Sequence, residues 1–186
     1  MRLFVAYKLA EPPSVRLAAL VAALRPRLPK AAWVAAHSYH LTFAFLGEQK
    51  VDVVPMLTDA LARAASSVHA VDTQFGRGGF FPNERRPRVA WIAIAPNESI
   101  EAIAVSFREA VSSCGVSFDT KPFKAHLTLA RIRDAWRPED GDAFLRAAAA
   151  MEGVPFALDR VSLFESRLLQ SGAVHEELAG FSLRGT

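Results

Sequence analysis

Short apolar runs alternate with segments of helical period along this chain, and turn-forming residues mark most of the joints. Arg2 to Lys8 predicts a first strand. Pro12 and Pro13 follow it, and the apolar spacing of Ser14 to Leu24 predicts a helix that stops near Pro26. Trp33 to Ala36 is aromatic and apolar, and Tyr39 to Leu46 reads as a strand closed by Gly47. A second helix is expected over Val53 to Ser67, a strand over Ala70 to Phe75, and a loop of glycines and arginines over Gly76 to Pro87. Strand Arg88 to Ala95 leads to a third helix, Glu98 to Cys114, with Gly115 placed as a left-handed cap. Ala125 to Ala130 predicts another strand and Pro138 to Met151 an alanine-rich helix. Phe156 to Glu165 is a further strand, with Val174 to Leu183 antiparallel to it. The elements alternate too irregularly, and some strands lie too close in sequence, for a doubly wound parallel sheet. The expected class is α+β with antiparallel sheets, in one unit over residues 1–186.

Composition narrows the picture. With 51% hydrophobic and 22% charged residues, a chain of 186 residues can bury a core of its own. The formal charge of +3, from 22 basic and 19 acidic residues, attracts polyanions weakly and suits a short phosphate-bearing ligand better than a long nucleic acid. Cys114 is the single cysteine, which excludes an intramolecular disulfide and a cysteine zinc site and favours a reducing compartment. Met1 to Leu9 has a signal-like apolar stretch, but Lys8 interrupts it and Glu11 and Pro12 follow directly. No run of about 18 apolar residues suggests a membrane helix. The expectation is a soluble, cytoplasmic protein, and the lack of heptads points to a monomer.

Two segments carry candidate chemistry. Tyr39-His40-Leu41-Thr42-Phe43-Ala44 and Ala125-His126-Leu127-Thr128-Leu129-Ala130 share the pattern His-Leu-Thr-apolar-Ala. On a strand, each copy projects an imidazole and a hydroxyl from one face and sends its leucine into the core. Phosphodiester cleavage needs such a pair, because water must lose a proton while the departing sugar oxygen gains one. Imidazole, with an ordinary pKa of about 6.5, serves as either base or acid near neutrality. Paired threonine hydroxyls can bond the non-bridging oxygens, so the arrangement requires no metal and no cofactor.

At these residues the chain resembles the two-histidine phosphoesterases, in particular the RNA 2′,3′-cyclic phosphodiesterases historically called 2′-5′ RNA ligases. The resemblance covers nearly the whole chain. It includes Met1 to Ala6, Phe43 to Gly47, Pro87 to Trp91, Lys121 to Arg131 and Leu163 to Ser166. It implies a bilobal fold of two pseudo-symmetric lobes around a central cleft, each lobe giving one motif. It also implies hydrolysis of an RNA 2′,3′-cyclic phosphate end to a 2′-phosphomonoester, with His40 as proton donor and His126 as proton acceptor. Thr42, Thr128 and Arg131 match substrate-binding positions. The chain departs from the family pattern at Ala35 and Ala36, where relatives often carry a proline, and at Gly172-Ala173-Val174-His175, where they often show Gly-Pro-x-Tyr.

Parity raises a difficulty for two residues. Five positions beyond its histidine in a regular strand, Arg131 faces away from the cleft unless a bend, a bulge or the strand end turns it inward. Phe45 has the same parity and is either a base-stacking platform or core, the core being expected. His37 reads as solvent-exposed, and His69 and His175 as surface or partly buried imidazoles. Arg77, Arg85, Arg86 and Arg88 either steer an RNA end or solvate their loop. Besides hydrolysis of RNA ends, with 2′-5′ ligation of tRNA halves as a reverse reaction, two further functions fit. One is hydrolysis of a small cyclic nucleotide such as an ADP-ribose cyclic phosphate; the other is a catalytically silent module that binds RNA ends.

Overall fold

The computed structural model describes residues 1–169 and 172–185, and these form two antiparallel sheets with helices on their outer faces. The strands are β1 (Arg2–Lys8), β2 (Ala32–Trp33), β3 (His40–Glu48), β4 (Val71–Phe81), β5 (Val89–Ala95), β6 (His126–Arg131), β7 (Pro155–Leu158), β8 (Arg160–Leu169) and β9 (Gly172–Ser182). The helices are α1 (Pro13–Leu24), α2 (Val54–Ser67), α3 (Asn97–Ser113) and α4 (Pro138–Ala149). One sheet has the order β3-β1-β8-β9 and the other β2-β6-β5-β4-β7. Helices α2 and α3 pack on each other and against β9 and β3, whereas α4 packs on β4 and α1. This is the α+β, bilobal arrangement expected from the sequence.

Side-chain alternation explains the layers. Leu3, Val5 and Tyr7 of β1, Leu41 of β3, Ile92 and Ile94 of β5 and Leu127 of β6 are almost wholly buried and join one apolar core with Phe107 of α3 and Phe144 of α4. Gly115 ends α3 at φ +67°, as its position after the helix predicted. Asp140 secures the start of α4 by accepting the backbone N–H of Arg137 at 2.9 Å.

The structure corrects two sequence expectations. The first is the loop over Gly76 to Pro87, because β4 runs on to Phe81 and pairs with β5 through Phe81 and Val89. Glycine there reflects close approach rather than a turn: a Cβ on Gly79 would collide with the Trp91 ring, reaching its Cε2 at 2.9 Å. The second is the single strand over Phe156 to Glu165. At Asp159 the chain crosses between sheets, so β7 pairs with β4 in one and β8 pairs with β1 in the other.

The strands that carry the two motifs share an irregularity. In β3, Thr42 pairs with Ala6 and Ala44 with Val5, leaving Phe43 as an extra residue. In β6, Thr128 pairs with Trp91 and Ala130 with Ala90, leaving Leu129 extra. Each is a β-bulge three residues after the histidine, and a bulge reverses the in-out alternation beyond it. Two successive buried residues, Phe43-Ala44 and Leu129-Ala130, mark the reversal. Both extra residues' carbonyls are satisfied away from the bulged pairing: Phe43 O accepts from Arg108 Nε at 2.7 Å, and Leu129 O accepts from the Val34 N–H at 2.9 Å, which extends the β2–β6 pairing.

Replacing Gly79 by alanine should force the Trp91 ring out of place and lower stability by about 1–3 kcal/mol, the usual cost of overpacking. Chemical denaturation would measure it, and an unchanged midpoint would show that the Trp91 ring is not fixed there.

Candidate active site

Each motif histidine opens its strand and is fixed the same way. His40 Nδ1 lies 2.7 Å from Ser38 O, and His126 Nδ1 lies 2.6 Å from Lys124 O, in both cases the carbonyl two residues upstream. A carbonyl only accepts, so Nδ1 carries the proton in both rings and Nε2 is the nitrogen left for chemistry. The short turn Ala36–Ser38 supplies one carbonyl, and the segment before β6 supplies the other.

Aromatic walls back both rings. On the first lobe, His40 packs against Phe4 and His175, with ring centroids 5.1 and 5.0 Å away, and Phe4 stacks on Phe164 at 5.2 Å. On the second, His126 meets Phe81 at 5.0 Å and Trp91 at 6.0 Å, edge to face. Lys124 lies over the Trp91 ring, its Nζ 4.0 Å from the centroid. Thr42 shares the half-buried face of β3 with His40, and Thr128 that of β6 with His126.

The two bulges decide the residues whose parity was in question. Arg131 returns to the face of His126 and Thr128 and is exposed there. Its counterpart Phe45 returns to the face of His40 and Thr42. It is not interior core, as the alternation suggested: it is half-buried on Phe4, Ala6 and Phe164, with the Arg2 guanidinium 4.9 Å over its ring.

Burial opposes charge on both imidazoles. It is the largest cause lowering the His40 pKa, to about 4, against the Ser38 carbonyl, which favours the charged ring. The charge of Arg131, and any charge on His175 or His126, pushes the same way. His126 is lowered chiefly by burial, against the Lys124 carbonyl, which favours the charged ring, while the Lys124 ammonium lowers it further.

His175 was expected to be an unremarkable imidazole, and the structure instead places it against His40. Its Nδ1 is buried without a hydrogen-bond partner among the described residues, as is Trp91 Nε1. No sequence signal short of the strand register reveals this, because Ser166 of β8 pairs with His175 and so sets its face. His37 and His69 are exposed as expected. Arg85 and Arg86 lie at the exposed turn between β4 and β5, Arg77 sits beside Glu152, and Arg88 bonds the Arg133 carbonyl, so the basic cluster is spread along the hairpin. Among the described residues no group of three or more His, Cys, Asp or Glu side chains could hold a metal ion, and no helix is long and apolar enough to cross a membrane.

Known proteins share the repeated plan of the chain. The family described as LigT like Phosphoesterase matches the chain twice, over residues 8–91 and 92–175, one motif in each repeat. An RNA 2′,3′-cyclic phosphodiesterase of Thermus thermophilus is 36% identical over 100% of this chain and 91% of its own length. One of Bacillus subtilis is 31% identical over 81% of this chain and 80% of its own. The crystal structure of the Thermus thermophilus protein TT0787 superposes with a TM-score of 0.77 at 30% identity, covering 100% of this chain and 99% of that one. Apo LigT of E. coli, at 20% identity and a TM-score of 0.72 over 98% and 96% of the two chains, shares the fold.

In the ligand-free protein the His40 ring should titrate near pH 4, well below the ordinary 6.5. Saturating inorganic phosphate should move the titration upward, since an anion beside the ring favours its charged form. Histidine ring resonances followed by NMR with and without phosphate test this; a midpoint that phosphate leaves in place would refute it. The same shift has a sign for stability. The unfolded chain binds the His40 proton more tightly, so stability present above about pH 6.5 is lost as pH falls toward 4. His40→Phe should weaken that acid sensitivity in thermal melts.

Proposed function

The chain belongs to the LigT-like phosphoesterase family, and on that premise we propose that it hydrolyses RNA 2′,3′-cyclic phosphate ends with His40 and His126 as its acid–base pair. Relatives bearing the name RNA 2′,3′-cyclic phosphodiesterase align over most or all of the chain and give the substrate class. The observation that carries the mechanism is the matched pinning of two imidazoles, each with Nδ1 on an upstream carbonyl and Nε2 free.

His126 Nε2 takes a proton from water as the water oxygen bonds to phosphorus. The P–O3′ bond breaks, and His40 Nε2 gives its proton to the departing 3′ oxygen. The product is a 2′-phosphomonoester, and one proton has passed from water to the sugar through the pair. Thr42, Thr128 and Arg131 hold the non-bridging oxygens, with the guanidinium offering the largest share of charge. The chemistry uses no metal and no cofactor.

For His40 to serve as acid at pH 7, substrate must restore the proton that burial removes. A pKa of about 4 costs about 4 kcal/mol at pH 7, at roughly 1.4 kcal/mol per unit. A phosphate anion about 4 Å from the ring is worth about 4 kcal/mol at an effective dielectric of about 20. The two are of the same order, which supports a bound phosphodiester as the source of the acid's charge. His126 works neutral, and burial keeps it so.

A 5′-hydroxyl of a second RNA piece attacking in place of water would give a 2′-5′ linkage, and tRNA halves would be substrates of that reaction. We place the enzyme in the cytoplasm, in keeping with its single cysteine, as a monomer whose two lobes act as one domain.

Replacing His40 or His126 by alanine should lower kcat by about 10² to 10⁴-fold, the usual worth of a general acid or base. Turnover of an oligonucleotide ending in a cyclic phosphate, with EDTA present and the product's phosphate position determined, measures this. Full activity in either variant, or loss of activity with EDTA, would overturn the mechanism. An ADP-ribose cyclic phosphate assayed in parallel should be the poorer substrate, and a protein that binds ends without product would be a silent module.

A further inference from the structure

The assignment of His40 as proton donor has a geometric consequence for the rest of the RNA. The donor touches the departing 3′ oxygen, so the ribose, and everything on its 5′ side, lies on the His40 side of the phosphorus. His126 and the attacking water occupy the opposite side. The surface leading away from His40 is therefore where the polynucleotide must run.

That surface is shaped and charged for a nucleotide. A small cavity of about 20 Å³, room for one water, is lined by His40, His175, His37, Lys8 and the Phe4 and Phe164 rings. Lys8 and His37 also line a neighbouring groove of about 680 Å³, so the two spaces meet at these residues. A groove of this size accommodates a ligand of nucleotide dimensions. Lys8 pairs with His40 across β1 and β3, which puts both side chains on one face. His37 belongs to the same short turn whose Ser38 carbonyl holds His40. Farther along, the groove passes Leu9, Ala10, Val15 and Ala18 and reaches Arg160 and Glu177.

The charges there favour an anion. Glu177 is bonded by Arg160 at 2.6 Å, so these two largely cancel, and Glu11 is the remaining acid in the lining. Lys8 forms no ion pair among the described residues, and it stands with His37 and His175 at the cleft side of the groove. The apolar stretch beyond them suits the flat face of a base.

We propose that this groove receives the nucleotide preceding the cyclic end, with its linking phosphate held by Lys8 and His37 and its nucleoside lying toward Val15 and Ala18. The site would make the enzyme prefer an RNA end over a free cyclic mononucleotide. The proposal rests on hydrolysis with His40 as donor. It adds a specificity subsite of defined chemistry: a 5′-phosphodiester followed by a nucleoside.

Three substrates separate the possibilities: a nucleoside 2′,3′-cyclic phosphate, the same molecule with a 5′-phosphate, and a dinucleotide ending in the cyclic phosphate. We expect kcat/KM to rise at each step, by about tenfold for the added phosphate, the worth of one charge-assisted contact. Lys8→Gln with His37→Gln should bring the first two substrates close together, acting mainly on KM. Val15→Glu should reduce the dinucleotide's advantage over the 5′-phosphorylated mononucleotide. A dinucleotide no better than either mononucleotide, or ratios unmoved by the substitutions, would overturn the subsite. Calorimetric affinities of the His126→Ala protein for the corresponding 2′-phosphate products read the same ratios without turnover. If no substrate were hydrolysed, the mechanism would fall and those affinities would still decide the groove.

Discussion

The hydrogen bond from each imidazole Nδ1 to the carbonyl two residues before it is the constraint on which the site depends. It fixes ring orientation and tautomer together, because a carbonyl accepts only from a protonated nitrogen. The same bond suits the two rings to different tasks. Neutral His126 presents a bare Nε2 that can take a proton at once. His40 can give a proton from Nε2 only as imidazolium, so its activity depends on something that favours charge.

Burial makes that dependence strong. Phe4 and His175 pack on His40, Phe164 backs Phe4, and the Arg131 charge adds to the penalty on the ring's charge. In the mechanism we propose, His40 is neutral in the free protein and becomes a competent acid when an anion arrives. On that proposal protonation is coupled to occupancy: the bound phosphodiester prepares the acid that cleaves it. The sign of the coupling follows from desolvation and Coulomb attraction alone.

The two lobes repeat a backbone plan and then differ in side chains. Each motif strand has a bulge three residues after its histidine, so Phe45 and Arg131 occupy corresponding places on the two strands. One is apolar and the other cationic. Opposite the histidines, Lys8 pairs with His40 while Ala93 pairs with His126. A repeated scaffold thus presents two different faces, as the proposed reaction, with its distinct attacking and departing oxygens, requires.

Much of this was legible in the sequence. The repeated His-Leu-Thr-apolar-Ala pattern fixed which imidazoles and hydroxyls share a face, because strand alternation depends only on local geometry, and periodicity located the four helices to within a few residues. What stayed hidden depended on neighbours far along the chain. The glycines of β4 read as a loop until the Trp91 ring was seen beside Gly79. Arg131 and Phe45 pointed the wrong way until pairing with β5 and β1 revealed a residue too many in each motif strand. His175 looked idle until β8 set its face toward His40. Local propensity specifies an element and its two faces; which face meets the cleft, and where alternation slips, is decided by strand register, which only the assembled sheets define.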